Sequence, residues 1–197
     1  MKCDELIKLL KTASQLKQNT RHSWLENDRR ESVAEHCWRL SLFAYFVKDE
    51  FPDVDIDRVI KMCIFHDMGE AFTGDIPSFL KSEKDEENEN NALDEWVKSL
   101  PSPYNKELSE LYKEINEQQT QEAKLFKALD KLEASISHNE ADLSTWIELE
   151  YELNPVYGKE ESQFSEYTKA LQNEVNKNAV TKIKSATENS ATDVDIV

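Results

Sequence analysis

His66 and Asp67 stand side by side at the end of the apolar run Val59-Ile60-Lys61-Met62-Cys63-Ile64-Phe65. A carboxylate next to an imidazole, directly after so hydrophobic a segment, is costly if both are buried and unpaired. A bound cation is one of the few arrangements that offsets the cost, because it takes the imidazole nitrogen and the carboxylate oxygen together. Further ligands of the same types stand at His36, in Val33-Ala34-Glu35-His36, and at Asp130, in Phe126-Lys127-Ala128-Leu129-Asp130. Each also has an ordinary explanation. His36 at a helix start can be a capping or surface histidine, and Asp130 can pair with Lys127 or Lys131. Glu70 follows Asp67 by three residues and can share a helical face with it. Asp75 taken alone is a turn residue.

The elements that must position these groups read as helices. Leu6, Ile7, Leu9, Leu10 and Leu16 mark a first amphipathic segment. The stretch Asn19 to Glu31 is polar, carries Arg21, Arg29 and Arg30, and reads as a loop. Ser32-Val33-Ala34-Glu35 fits a capping box, with Ser32 as N-cap and Glu35 reaching back to its amide. The helix it opens runs through Leu40, Phe43, Ala44 and Val47 to about Glu50, where Pro52 stops it, and holds His36 in its first turn. Asp55 or Asp57 caps the next helix, which ends near His66-Asp67. Met68 to Pro77 contains Gly69, Gly74 and Pro77, so Asp75 falls in a structured loop.

Glu83 to Asn91 is acidic and reads as a solvated helix face leading into Leu93, Trp96, Val97 and Leu100. Another helix follows from about Tyr104 to Gln118, after Pro101 and Pro103. Leu125, Phe126, Leu129, Leu132 and Ile136 then recur at three- and four-residue steps within Ala123 to Asn139. Trp146 to Leu153 and Phe164 to Val175 add two more segments. The expectation is one all-α domain over residues 1–178, with a polar and flexible tail over 179–197.

Composition agrees with that class. A chain of 197 residues suffices for one domain with a real core, and 39% hydrophobic content with four tryptophans argues for a folded globule. Only three glycines and five prolines leave little material for tight β-turns. A net charge of −16 argues against non-specific binding to nucleic acid or an anionic membrane. If the ligand is a phosphate ester, local cations or a metal must overcome that field. Cys3, Cys37 and Cys63 lack CxxC spacing and read as free thiols of a reducing compartment. No stretch is apolar and long enough to span a bilayer, so the expected setting is the cytoplasm.

The order His36, His66-Asp67, Asp130 resembles the H…HD…D pattern of the HD-domain phosphohydrolases. The flanking text sharpens the likeness. Arg21-His22-Ser23-Trp24, Glu31-Ser32-Val33-Ala34-Glu35-His36, Phe65-His66-Asp67-Met68-Gly69-Glu70 and Thr73-Gly74-Asp75-Ile76-Pro77 are similar to the branch holding bacterial 5′-deoxynucleotidases and their eukaryotic relatives. Leu129-Asp130-Lys131-Leu132-Glu133 fits that family's last metal motif.

The resemblance implies a single compact HD-domain helical bundle and one divalent ion on His36, His66, Asp67 and Asp130. Such mixed nitrogen and oxygen ligands suit Mn²⁺, Co²⁺, Fe²⁺, Ni²⁺ or Zn²⁺. It further implies Glu70 as the acid/base group, with Asp75 supporting the same water or a sugar hydroxyl. Arg21 is the local cation for a phosphate. Trp24 either stacks on a base or anchors its loop, and Lys81 is a second phosphate candidate. His138 lies two turns after Asp130 and is left outside the metal set, so one ion rather than two is expected. The implied reaction is hydrolysis of deoxynucleoside 5′-monophosphates, by a homodimer if the family habit holds. Two other readings remain open: an HD hydrolase of another nucleotide or small phosphate ester, and a nucleotide-binding module with little turnover.

Overall fold

The computed structural model describes residues 1–26 and 29–192, the last five by backbone alone. The chain runs through α1 (Cys3–Ala13), β1 (Thr20–Trp24), β2 (Arg30–Ser32), α2 (Val33–Phe46), α3 (Ile56–Phe65), α4 (Glu70–Thr73), α5 (Glu83–Ser99), α6 (Tyr104–Glu117), α7 (Gln121–Glu140), α8 (Glu148–Leu153) and α9 (Glu166–Thr192), with short 3₁₀ turns between some of them. The fold is therefore all-α apart from one small hairpin.

Helix α2 starts where Ser32 and Glu35 satisfy each other's backbone amides. Ser32 Oγ accepts from the Glu35 amide at 3.3 Å, and Glu35 Oε2 accepts from the Ser32 amide at 2.8 Å. Asp55 opens α3 by accepting from the Arg58 amide at 3.0 Å, and Thr120 opens α7 by accepting from the Ala123 amide at 3.1 Å. Each cap fills a donor that a helix start leaves without a partner. Helices α2, α3 and α7 then bury one core through Leu40, Val59, Met62, Phe126 and Leu129. Each apolar side chain so buried contributes roughly 1.5–3 kcal/mol.

The segment that reads as a loop before Ser32 instead pairs with itself. β1 and β2 are antiparallel, Thr20 facing Ser32 and Trp24 facing Arg30, with an irregular register between. Hydropathy could not reveal these strands, because the side chains they bury include Ser23 and Glu31 rather than an apolar alternation. Asn27 and Asp28 lie outside the described residues.

Two glycines shape the segment after α3. Gly69 lets α5 approach, since a Cβ there would meet Glu89 Cγ at 2.7 Å. Gly74, at φ +80°, ends α4 and turns the chain into Asp75-Ile76-Pro77. At the other end, α9 packs on α7 and buries Val175 and Ala179. Its helical backbone continues to Thr192, beyond the Val175 at which the sequence pattern stops. Residues 193–197 of the polar tail lie outside the described residues. Among the described residues, no helix is long and apolar enough to cross a membrane.

Candidate active site

Three elements bring two imidazoles and two carboxylates together. His36 comes from the first turn of α2, His66 and Asp67 from the 3₁₀ turn that continues α3, and Asp130 from the middle of α7. His66 Nε2 lies 3.1 Å from Asp67 Oδ2 and 3.7 Å from Asp130 Oδ1. His36 Nε2 lies 3.3 Å from Asp130 Oδ1 and 3.9 Å from Asp67 Oδ2. Both Nε2 atoms are buried and neither has a hydrogen-bond partner.

The opposite nitrogens explain that orientation. His66 Nδ1 lies 3.0 Å from the Cys63 carbonyl, and His36 Nδ1 faces Glu133 Oε2. With Nδ1–H donating, each Nε2 presents a lone pair toward the two carboxylates. Burial alone would raise Asp67, yet His66 and His36 outweigh it and hold the group at about 2. Burial is likewise outweighed at Asp130, which Lys127 and the two histidines hold well below the carboxylate range. Against their burial, Glu133 followed by Asp130 raises the His36 imidazole, and Asp67 raises that of His66. The cluster thus draws positive charge to one point. Its donor set, with two unpartnered nitrogens and two carboxylates, fits a divalent ion.

A second group of buried charges holds the first in place. Glu133, one turn after Asp130, touches His36 and also accepts from Arg39 Nε at 2.6 Å and from Arg21 Nη1 at 3.3 Å. Burial would raise its carboxyl, but His36, Arg21 and Arg39 hold it at about 2. Arg21 Nη1 also lies 3.4 Å from Glu31 Oε2, which accepts from the Ser137 hydroxyl at 3.4 Å as well. Glu31, His36 and Glu133 form another close set of donor atoms. Arg21 and Arg39 already supply the positive charge there, so a cation has little to add.

Glu70 is buried, and its Oε2 has no hydrogen-bond partner. Burial, followed by the charges of Asp67, Asp75 and Glu89, pushes its carboxyl up to about 10. Asp75 is also raised by burial, less strongly because Arg21 faces it. Glu70, Asp75, Arg21, Asp67 and Asp130 line one cavity of about 220 Å³. Lys81 lines it too, with Nζ 2.7 Å from Glu89 Oε2. Trp24 is not on that lining. The Arg30 guanidinium lies 5.1 Å from the centre of its ring.

Sequence reasoning missed Glu133, Glu31 and Arg39 as parts of the site. Two of them carried a usable signal: Arg39 follows His36 by three residues, and Glu133 follows Asp130 by three, so each shares a helix face with a candidate ligand. Of the other residues lining the cavity, His22 stands in the Arg21-His22-Ser23-Trp24 motif, whereas Glu150 and Asn154 carried no signal.

Comparison with known proteins places this arrangement in context. A family model described as "HD domain" matches residues 13–172. The chain is 33% identical over 139 residues to the human protein named 5′-deoxynucleotidase HDDC2, covering 68% of this chain and 67% of that one. It is 31% identical over 137 residues to 5′-deoxynucleotidase hdd1 of Schizosaccharomyces pombe, covering 65% and 68%. A conserved hypothetical protein from Pyrococcus furiosus superposes with a TM-score of 0.68 at 30% identity, over 87% of this chain and 99% of that one. The crystal structure of a protein described as a predicted metal-dependent phosphohydrolase, from Magnetospirillum magnetotacticum, gives a TM-score of 0.77 over 90% and 92%. At 24% identity it speaks for the fold alone.

Proposed function

This chain belongs to the HD-domain family, and we propose that it hydrolyses deoxynucleoside 5′-monophosphates to nucleoside and phosphate, with one divalent ion on His36, His66, Asp67 and Asp130. It is a metal-dependent phosphohydrolase of the 5′-deoxynucleotidase kind. The observation that carries the reading is the convergence of two buried, unpartnered imidazole nitrogens on two carboxylates, Asp67 and Asp130, which line one cavity with Arg21 and Glu70.

When bound, the ion supplies Lewis-acid polarisation of a phosphoryl oxygen and makes a nearby water more acidic. The remaining work falls to the protein's own groups. Arg21, held charged by Glu133, Asp67 and Glu31 against its burial, offers a planar fork of donors to the phosphate oxygens. That local cation offsets the repulsion expected from a net charge of −16. Glu70 carries the proton. As a carboxylic acid it gives that proton to the departing O5′ as the P–O5′ bond breaks. The incoming water forms the new P–O bond, and its released proton restores Glu70. Burial, followed by the charges of Asp67 and Asp75, favours that proton on Glu70 in the ion-free site. Three free thiols, two of them buried, suit a reducing, cytoplasmic setting.

Phosphate release is the direct test. Purified protein is assayed on deoxynucleoside 5′-monophosphates, ribonucleoside 5′-monophosphates and phenyl phosphate, with Mn²⁺ or Co²⁺ and with a chelator. The expected result is metal-dependent release that is fastest on the deoxynucleotides and stops with chelator. Tight nucleotide binding without release would make the chain a binding module. Release confined to phenyl phosphate would replace the substrate class.

A further inference from the structure

The far part of the cavity holds a second pairing of imidazole and carboxylate that the phosphate chemistry does not use. Glu150, in the first turn of α8, is 1% exposed. Its Oε2 accepts from the Ile147 amide at 2.8 Å and so closes the start of that helix. Its Oε1 is buried and has no hydrogen-bond partner. His22 Nε2 lies 3.3 Å from Oε1 and is itself without a partner, and His138 Nδ1 lies 3.5 Å from the same oxygen. One turn along, Asn154 is 5% exposed and leaves Nδ2 unpartnered. All four residues line the cavity that also contains Asp67, Asp130 and Arg21.

We propose that His22, His138, Glu150 and Asn154 form the nucleoside-recognition subsite, in which Glu150 Oε1 accepts a hydrogen bond from a neutral donor of the substrate, a sugar O–H or a base N–H. This rests on the phosphomonoesterase reading above. Three features select that ligand chemistry. A buried carboxylate whose ion-pairing partners among the described residues are only His22 and His138 repels a second phosphate, so the group it takes is neutral. Burial and the neighbouring charges of His22 and Arg21 push His138 down to about 4, which leaves its ring neutral near pH 7. The free atoms combine one acceptor with amide and imidazole groups, the mixture that a nucleoside's polar edge complements.

The subsite is also built to be rigid and correctly placed. His138 follows Asp130 by eight residues on α7, about 12 Å along the axis. The irregular register in β1 lets the consecutive residues Arg21 and His22 both line the cavity, where a regular strand would send one to each face. Phe79 packs edge-on against His22 at 5.6 Å between ring centres. Trp146 does the same to His138 at 6.5 Å, and its Nε1 donates to the His138 carbonyl at 3.0 Å.

The test compares the ion-loaded protein with its Glu150→Gln variant on a deoxynucleoside 5′-monophosphate and on phenyl phosphate, which has no donor beyond its phosphate. Glutamine keeps an oxygen for the Ile147 amide, and thermal denaturation checks the fold. A hydrogen bond to a charged group predicts that the ratio of kcat/KM values, nucleotide over phenyl phosphate, falls about ten- to hundredfold. Competitive inhibition by the free deoxynucleoside weakens by the same factor, a readout independent of turnover. A 2′,3′-dideoxynucleotide that is insensitive to the substitution identifies the hydroxyl as donor. Insensitivity of deoxyribose 5-phosphate identifies the base. Equal loss on both substrates would reduce Glu150 to a helix cap, and unchanged activity on both would remove it from recognition. Either result overturns the subsite while leaving the phosphomonoesterase reading intact. Release of phosphate from neither substrate by the wild-type protein would overturn both.

Discussion

The two ends of the cavity are made of the same residue types and differ in what those residues leave unsatisfied. At one end, Asp67 and Asp130 line the wall, while His36 and His66, off the lining, each present an unpartnered Nε2 to them within 3.9 Å, and Glu133 and the Cys63 carbonyl fix both rings from behind. At the other, His22 and His138 flank one free oxygen of a single carboxylate, whose second oxygen is spent on a backbone amide. Two carboxylates with two converging lone pairs call for a cation. One free carboxylate oxygen beside the neutral His138 ring calls for a neutral hydrogen-bonding group. Residue type alone does not decide between ion and nucleoside; the number of free acceptors meeting at one point does.

That contrast can be broken by substitutions confined to one end. The largest effect on rate is expected from Glu70→Gln, which removes the proton carrier and should lower kcat roughly 10²- to 10⁴-fold. Because Glu70 serves the phosphoryl group, the loss should be similar on nucleotide and on phenyl phosphate. A loss restricted to the nucleotide would move Glu70 from acid/base work to recognition. A smaller effect is expected from Glu133→Gln, which weakens the partner of His36 Nδ1 without touching the ion. Substitution behind a metal-binding histidine typically lowers metal affinity about 10- to 100-fold, so activity should return as Mn²⁺ is raised. An affinity unchanged in that variant, measured by metal titration of activity, would show that Glu133 does not position His36.

Much of the fold is set by local signals in the sequence. The Ser32–Glu35 capping box, the Asp55 cap and the buried spacing of Leu125, Phe126 and Leu129 are local signals, and the chain obeys them. The hairpin was not legible because its buried positions include polar residues, and burial by ion pairing leaves no hydropathy alternation. The same limit hides the residues behind the site. Glu31, Glu133 and Glu150 are 1–2% exposed, yet in an acidic chain a buried glutamate is written like a solvated one. Glu89 shows this from within the acidic run: its neighbours face solvent, whereas it packs over Gly69 and pairs with Lys81. Arg21 and Asp75 could be named from motif alone. Trp24, named by the same motif, stands under Arg30 rather than on the cavity wall.

The central claim is that one divalent ion is held where His36, His66, Asp67 and Asp130 meet, and metal stoichiometry at equilibrium tests it most directly. Protein dialysed against limiting Mn²⁺ and analysed for bound metal should carry one ion per chain, as should Glu150→Gln at the other end of the cavity. The Asp67→Ala, Asp130→Ala double variant, shown to be folded by circular dichroism, should carry none under the same conditions. A double variant that keeps its ion with undiminished affinity, or a wild-type protein that binds none, would contradict the assignment.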